Sequence, residues 1–131
     1  MCGRLKYTFA KQLRDVAKGS FMEFVDNQGV TVSGKFVDFM QVETFRKGYW
    51  TSDKAFGGKI VSCHVLPIQG FVEKHKYFPA PKGKNAVIIG KQKSGTLRLA
   101  TEPATGDVKK VHHRMPFFVR PDYVPKTGGG Q

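Results

Sequence analysis

After residue 20 the chain consists of short runs rich in Val, Phe and Ile, separated by clusters of Gly, Pro and Asn. β-branched and aromatic residues favour strands, and Gly, Pro and Asn are typical of the turns between them. The predicted strands lie within Phe21–Val25, Val30–Glu43, Lys59–Glu73, Ala86–Ile89, Thr96–Leu99 and Met115–Val119. Lys93-Ser94-Gly95 predicts a hairpin turn between the fourth and fifth of these runs. Most of the chain is therefore expected to form antiparallel strands.

One segment near the start, Thr8–Gly19, is predicted to be a helix. Thr8 can cap it, and Phe9, Leu13 and Val16 recur at i, i+4 and i+7 on one apolar face. The predicted fold class is therefore α+β. We expect mostly antiparallel strands in a curled sheet or a partly open barrel, with one clear N-terminal helix.

The chain of 131 residues is basic, with 22 Lys and Arg against 10 Asp and Glu and a formal net charge of +12. Its hydrophobic content of 40% is enough for a packed core, which excludes wholesale disorder. We expect one domain over residues 1–123 and a flexible Gly-rich tail over 124–131. The positive charge predicts a polyanionic partner, with nucleic acid favoured over an anionic membrane surface.

The expected location is the cytoplasm. No run approaches the roughly 18 apolar residues of a membrane span, and the start of the chain lacks the apolar stretch of a secretory signal. Two cysteines cannot form a disulfide scaffold, so reduced thiols are expected.

Cys2 gives the start of the chain a specific chemistry. Removal of Met1 would leave Cys2 with an α-amine and a thiol on adjacent carbons. Such a residue condenses with an aldehyde to an imine, and the thiol then closes onto the imine carbon to form a thiazolidine ring. An ordinary α-amine is partly neutral at physiological pH, and a nearby cation such as Arg4 favours the thiolate.

The remaining Cys and His residues do not predict a metal site. Cys63 and His64 are adjacent, as are His112 and His113, and neighbours on an extended strand point to opposite faces. We therefore expect one of His112 and His113 to face a pocket and the other to face solvent. Since no C-x-x-C or H-x3-H pair is present, we predict neither metal nor cofactor, and interpret Cys63 as a small buried thiol.

Several segments, in their order along the chain, carry a resemblance to a known family. Met1-Cys2-Gly3-Arg4 is followed by Pro67-Ile68-Gln69-Gly70-Phe71-Val72-Glu73 and by Val111-His112-His113-Arg114-Met115-Pro116 with Phe117-Phe118-Val119. Val42-Glu43-Thr44 is a weaker match, and Thr96 to Thr105 resembles the strand before the last motif. Together they resemble the SRAP family (SOS response-associated peptidase domain) and its motifs P-A-D-G-F-Y-E-W, I-H-D-R-M-P-V-I-L and N-A-R-S-E-T. The chain looks like a short, diverged member.

The resemblance implies a DNA-repair activity, the covalent capture of abasic sites, chiefly in single-stranded DNA. An abasic deoxyribose is in equilibrium with a ring-opened aldehyde, and the N-terminal Cys2 would form the thiazolidine with it and shield the lesion. By motif, Glu73 is the general acid/base and His112 the second proton-transfer group. The family name also implies self-removal of Met1. We expect a monomer that associates with DNA in the cytoplasm.

Four residues are predicted to contact DNA: Arg4, Gln41, Trp50 and Arg114. Arg4 would bind a phosphate in the family's manner, Gln41 stands where the family has an arginine, and Arg114 neighbours His112. Trp50 could stack on a base, which contributes roughly 1–3 kcal/mol, or belong to the core.

Four positions depart from the family pattern. Phe39 replaces an asparagine, Gln41 an arginine, Lys74 a tryptophan and His113 an aspartate. The chain is also shorter than family members usually are. An alternative hypothesis is therefore a non-catalytic, basic module that binds single-stranded nucleic acid and retains only the fold.

Overall fold

The computed structural model describes residues 3–41, 61–91 and 95–123. It is mostly β, with 62% in strands and 4% in helix. In these ranges no helix reaches seven residues, and the strands do not close into a barrel. The predicted α+β class with a clear N-terminal helix is therefore wrong. Nor does any helix in the described ranges have the length and apolar character needed to cross a membrane.

The strands of the described residues form two sheets, one of four strands and one of seven. The elements are β1 (Arg4–Phe9), β2 (Gln12–Ala17), β3 (Phe21–Val25), β4 (Thr31–Gln41), β5 (Val61–Leu66), β6 (Ile68–Glu73), β7 (Lys76–Pro79), β8 (Asn85–Lys91), β9 (Thr96–Pro103), α1 (Gly106–Lys109), β10 (Arg114–Pro116) and β11 (Phe118–Val119). The smaller sheet has the order β2-β1-β6-β7. The larger has the order β11-β8-β9-β4-β3, with β5 paired to β8 and β10 paired to β9. Strands β4 and β9 run parallel.

The segment predicted to be a helix is instead the hairpin of β1 and β2. Leu5 and Tyr7 are buried and alternate with polar residues, whereas Leu13, on the predicted helical face, is 59% exposed. The turn residues Ala10 and Lys11 adopt φ angles of 52° and 63°, the left-handed values of a type I′ turn. Because neither residue is Gly or Asn, the usual hairpin signal is missing, and the i, i+4, i+7 spacing of apolar residues was misleading.

Most of the buried side chains belong to one apolar cluster to which both sheets contribute. Its largest fully buried members are Phe24, Phe36 and Phe71. The hydroxyl of Tyr7 in the smaller sheet donates a 2.9 Å hydrogen bond to the carbonyl of Glu23 in the larger one. This packing fixes β6 against the larger sheet, and with it the residues that β6 carries.

Candidate functional site

Glu73 is the last residue of β6 and is 1% exposed. The strand packs Phe71 into the core, and the side chain of Tyr77 lies directly over Gly70, where a Cβ would overlap it. The chain then reverses through Lys74 and His75, whose φ angles of 47° and 70° form a tight turn into β7. The turn therefore leaves a carboxyl group buried at the end of a strand.

The start of the chain runs alongside this strand end. Gly3 N–H donates to the carbonyl of Val72 at 3.2 Å, and the Gly3 carbonyl accepts a bond from Lys18 N–H at 3.0 Å. In the register of β1 and β6, Arg4 is paired with Val72, the residue before Glu73. The predicted nucleophile Cys2 lies outside the described residues.

His112 comes to Glu73 from the other end of the chain. The single turn of α1 is followed by a bend, and His112 N–H donates to the carbonyl of Val108 at 2.8 Å. The backbone N–H of Arg114 lies 3.1 Å from His112 Nδ1 and donates to it when Nδ1 is unprotonated, in which case the ring proton of the neutral imidazole is on Nε2. Glu73 Oε2 lies 3.6 Å from the same Nδ1. If Nδ1 is protonated, Glu73 and the Arg114 carbonyl at 3.3 Å become its nearest acceptors.

Burial raises the pKa of Glu73 and outweighs the opposing influences on its carboxyl, of which the positive charge of Lys74 is one of the smaller. The side chains of Glu73 and His112 are 1% and 14% exposed. A buried carboxyl with a raised pKa can carry a proton closer to neutral pH, and an imidazole beside it can accept or return one. The pair can therefore move protons at an edge of the molecule that is close to the start of the chain.

The expectation that His112 and His113 face opposite ways is wrong. Their rings are stacked, with centroids 4.4 Å apart and planes at 29°. The reason is that the two residues lie in a bend between α1 and β10 and not on an extended strand, so the strand alternation does not apply.

The predicted DNA contacts lie in different surroundings. Arg4 is half-exposed and pairs with Asp15 at 3.0 Å. Arg114 is buried, and its guanidinium donates to the Thr101 hydroxyl at 3.3 Å and to the Thr101 carbonyl at 2.6 Å. Gln41 ends β4, next to Phe39 and Met40, and Trp50 lies outside the described residues. In this conformation the guanidinium of Arg114 is held by Thr101, and the backbone N–H of Arg114 contacts His112 Nδ1.

A groove of about 470 Å³ opens beside the Glu73–His112 pair. It is lined by Lys74, Pro103, Ala104, Lys109, Lys110, Val111, His112 and His113. Sequence reasoning missed this groove because its cations come from two distant segments, the β6–β7 turn and the end of α1.

A second carboxylate–imidazole pair was also missed. His64 Nδ1 lies 2.9 Å from Asp26 Oδ2, and the two side chains are 16% and 3% exposed. Asp26 Oδ1 accepts two further bonds, from the backbone N–H groups of Gln28 and Val30, each at 2.9 Å. Burial alone would raise the pKa of Asp26, but the bonds from His64, Val30 and Gln28 together hold this pKa below its usual value. The Asp26-Asn27-Gln28-Gly29 turn cluster was its only sequence signal.

Two further observations bear on site chemistry. Cys63 is buried, as expected, and burial raises the pKa of its thiol, which keeps it protonated. Among the described residues no group of three or more Cys, His, Asp or Glu is arranged to hold a metal ion.

Comparison of the chain with protein-family models, with curated proteins and with solved structures finds no match. The SRAP resemblance therefore depends on the motif residues alone and stays a prediction.

Proposed function

We propose that the protein captures abasic sites in single-stranded DNA through a thiazolidine formed by Cys2. The observation that carries the proposal is the convergence of three segments that are distant in sequence. The backbone of Gly3 is bonded to Val72, Glu73 is buried at the end of the same strand, and His112 Nδ1 lies 3.6 Å from its carboxyl. These are the segments that the family resemblance singles out as catalytic.

The chemistry would begin at the sugar. A protonated Glu73 carboxyl can give its proton to the ring oxygen of the abasic deoxyribose while water takes the C1′ hydroxyl proton, and the ring opens to the aldehyde. The raised pKa of Glu73 suits this role, because it keeps the carboxyl protonated at a higher pH than an exposed glutamate would be.

The covalent steps follow at the aldehyde carbon. The α-amine of Cys2 attacks that carbon, and loss of water gives the imine. The thiol sulfur then adds to the imine carbon, and the nitrogen takes up a proton, which closes the five-membered ring. His112 is suited to the proton transfers of dehydration and closure, because its Nδ1 is held by Arg114 N–H while Nε2 carries the exchangeable proton.

The test uses purified protein whose N-terminal residue is Cys2, as verified by intact mass. It is incubated with single-stranded DNA that contains one abasic site, and the products are separated on a denaturing gel. We expect a slow-migrating adduct whose mass equals protein plus DNA minus one water. A Cys2→Ala variant and an oligonucleotide with a tetrahydrofuran site, which has no aldehyde, are the matched controls. No adduct, or one that persists in Cys2→Ala, would contradict the proposal.

The second candidate is the non-catalytic single-strand binding module. It is favoured by the basic groove together with Phe39 and Gln41, which replace the polar residues of the family motif. Mass spectrometry of the native protein separates the two candidates. A retained Met1 blocks the amine of Cys2 and favours the binding module, whereas an N-terminal Cys2 favours capture.

A further inference from the structure

We propose that the groove beside His112 binds the sugar–phosphate backbone at a linkage next to the abasic nucleotide. The inference deepens the proposed function and rests on it for the position of the lesion. In this proposal the groove lysines Lys74, Lys109 and Lys110 bind the DNA backbone. The abasic sugar then lies at Glu73 and His112.

The groove has the charge that a phosphodiester requires. Three lysines line it, and among the described residues of its lining none is acidic. Lys110 Nζ lies 3.4 Å from Asp107 Oδ1, but both side chains are about four-fifths exposed. Exposed pairs of this kind contribute little and exchange readily, so Lys110 can turn to a phosphate.

The position of the groove relates it to the reactive pair. His112 belongs both to the groove lining and to the pair with Glu73, and Lys74 follows Glu73 directly in the chain. A strand with its abasic sugar at this pair therefore continues past the lysines. Pro103, Ala104 and Val111 provide apolar surface in the same lining, which suits the carbon face of the neighbouring sugar.

The first experiment measures binding of oligothymidylate, which has no abasic site, at increasing salt concentration. The variant is Lys109→Ala/Lys110→Ala. The control is Lys82→Ala/Lys84→Ala, which removes the same charge from an exposed turn outside the groove. Lys74 is left unchanged because its charge also acts on Glu73. For single strands the slope of log affinity against log salt decreases by about 0.7 per lost phosphate contact.

We expect the slope of the groove variant to be smaller in magnitude by about 1.4, which corresponds to two lost phosphate contacts. The slope of the control should change by less than half as much. Equal slopes in the two variants would overturn the assignment of the groove.

The second experiment identifies the linkage. Single methylphosphonate groups, which carry no charge, replace the phosphates in turn around a tetrahydrofuran site that cannot react. We expect one linkage next to this site at which the substitution weakens binding of the wild-type protein several-fold but has no further effect on the groove variant. The proposal is wrong if each methylphosphonate weakens binding of the groove variant as much as binding of the wild type. It is also wrong if no methylphosphonate weakens binding of the wild type.

These outcomes are independent of capture. If abasic DNA gives no adduct while both expected results are obtained, the groove assignment stands and the covalent function fails.

Discussion

The described residues contain two buried pairs of a carboxyl group and an imidazole, and the pKa values of the two carboxyl groups are shifted in opposite directions. Asp26 has three donors within 2.9 Å, namely His64 and two backbone N–H groups, and its pKa is lowered. Glu73 is 3.6 Å from His112, and burial raises its pKa. The first carboxyl is held as an anion, whereas the second is disposed to keep a proton.

Under the proposed function, this difference separates a structural pair from a reactive one. Asp26 closes the turn between β3 and β4, and Asn27 in that turn donates to the carbonyls of Pro121 and Tyr123 and so ties the last described segment to it. Glu73 lies beside the start of the chain and a basic groove. Hydrogen bonds that hold a carboxylate as an anion stabilise the fold, whereas a buried carboxyl with a raised pKa keeps its proton to a higher pH and can transfer it there.

The largest expected effect is on stability at the first pair. Asp26→Ala should lower the free energy of unfolding by about 3–5 kcal/mol, because it removes a buried charge from three partners. Urea unfolding measures this loss. Asp26→Asn keeps an acceptor for the backbone N–H groups, so it should lower the free energy of unfolding by less. It also provides a measurable value if Asp26→Ala does not fold. Asp122→Ala, at an exposed ion pair, is the control, and an equal loss there would contradict the structural role of Asp26.

The next effect is on reactivity at the second pair. Glu73→Gln should slow adduct formation with abasic single-stranded DNA by about 100-fold, which corresponds to about 2.7 kcal/mol of activation free energy. Its unfolding free energy at neutral pH should be unchanged or higher, because the amide has no charge to bury. Glu23→Gln, on the exposed face of β3, makes the same chemical change away from the site. A loss of stability without a loss of rate would make Glu73 a structural residue.

The two histidines should differ in the same assays, His64 chiefly in its effect on stability and His112 in its effect on the adduct rate. His64→Ala removes a hydrogen bond to a carboxylate and should cost about 1.5–3 kcal/mol of unfolding free energy, which His64→Asn should partly restore. His112→Ala loses a neutral bond from Arg114 N–H and should cost about 1 kcal/mol, but it should slow adduct formation. Equal effects of His64→Ala and His112→Ala on the adduct rate would remove the distinction between the pairs.

The smallest effects are in the pH dependence of stability, at about 1.4 kcal/mol for each unit of pKa shift. A raised pKa means that the folded protein holds the Glu73 proton more tightly than the unfolded chain does. The unfolding free energy therefore falls as pH rises from the ordinary carboxyl range through the raised pKa, and Glu73→Gln should abolish this fall.

Asp26 has the opposite sign. Its stabilisation is complete above the ordinary carboxyl pKa and is lost as pH falls through the lowered pKa of the folded state. The difference between wild type and Asp26→Asn should therefore shrink in acid. Urea titrations at a series of pH values measure the unfolding free energy of wild type, Glu73→Gln and Asp26→Asn. If the stabilisation that each carboxyl group provides changed with pH in the same direction for Glu73 and Asp26, both predictions would be contradicted.

Much of the strand pattern was predictable, because it is a local property of the sequence. The prediction for β3, Phe21–Val25, matches its observed bounds. β8 and β9 pair antiparallel, as the hairpin signal predicts, although Lys93 and Ser94 of that signal lie outside the described residues. The hairpin of β1 and β2 was not predictable, since Ala10 and Lys11 adopt left-handed φ angles without a Gly or Asn.

The candidate site was likewise predictable only in part. Glu73 and His112 could be chosen from motifs, but their distance and the burial of Glu73 depend on packing between β6 and the segment after α1. The Asp26–His64 pair joins residues 38 positions apart, so no local pattern indicates it. The lysines of the groove are likewise brought together only by the fold.

The most direct test of the account is the single-turnover rate of adduct formation on abasic single-stranded DNA, measured side by side for wild type, Glu73→Gln and Asp26→Asn. Under conditions where all three are folded, we predict an adduct with the wild type, a nearly equal rate for Asp26→Asn, and a rate about 100-fold lower for Glu73→Gln. No adduct with wild-type protein that carries N-terminal Cys2, or equal rates for all three proteins, would contradict the assignment of Glu73 and His112 as the reactive pair.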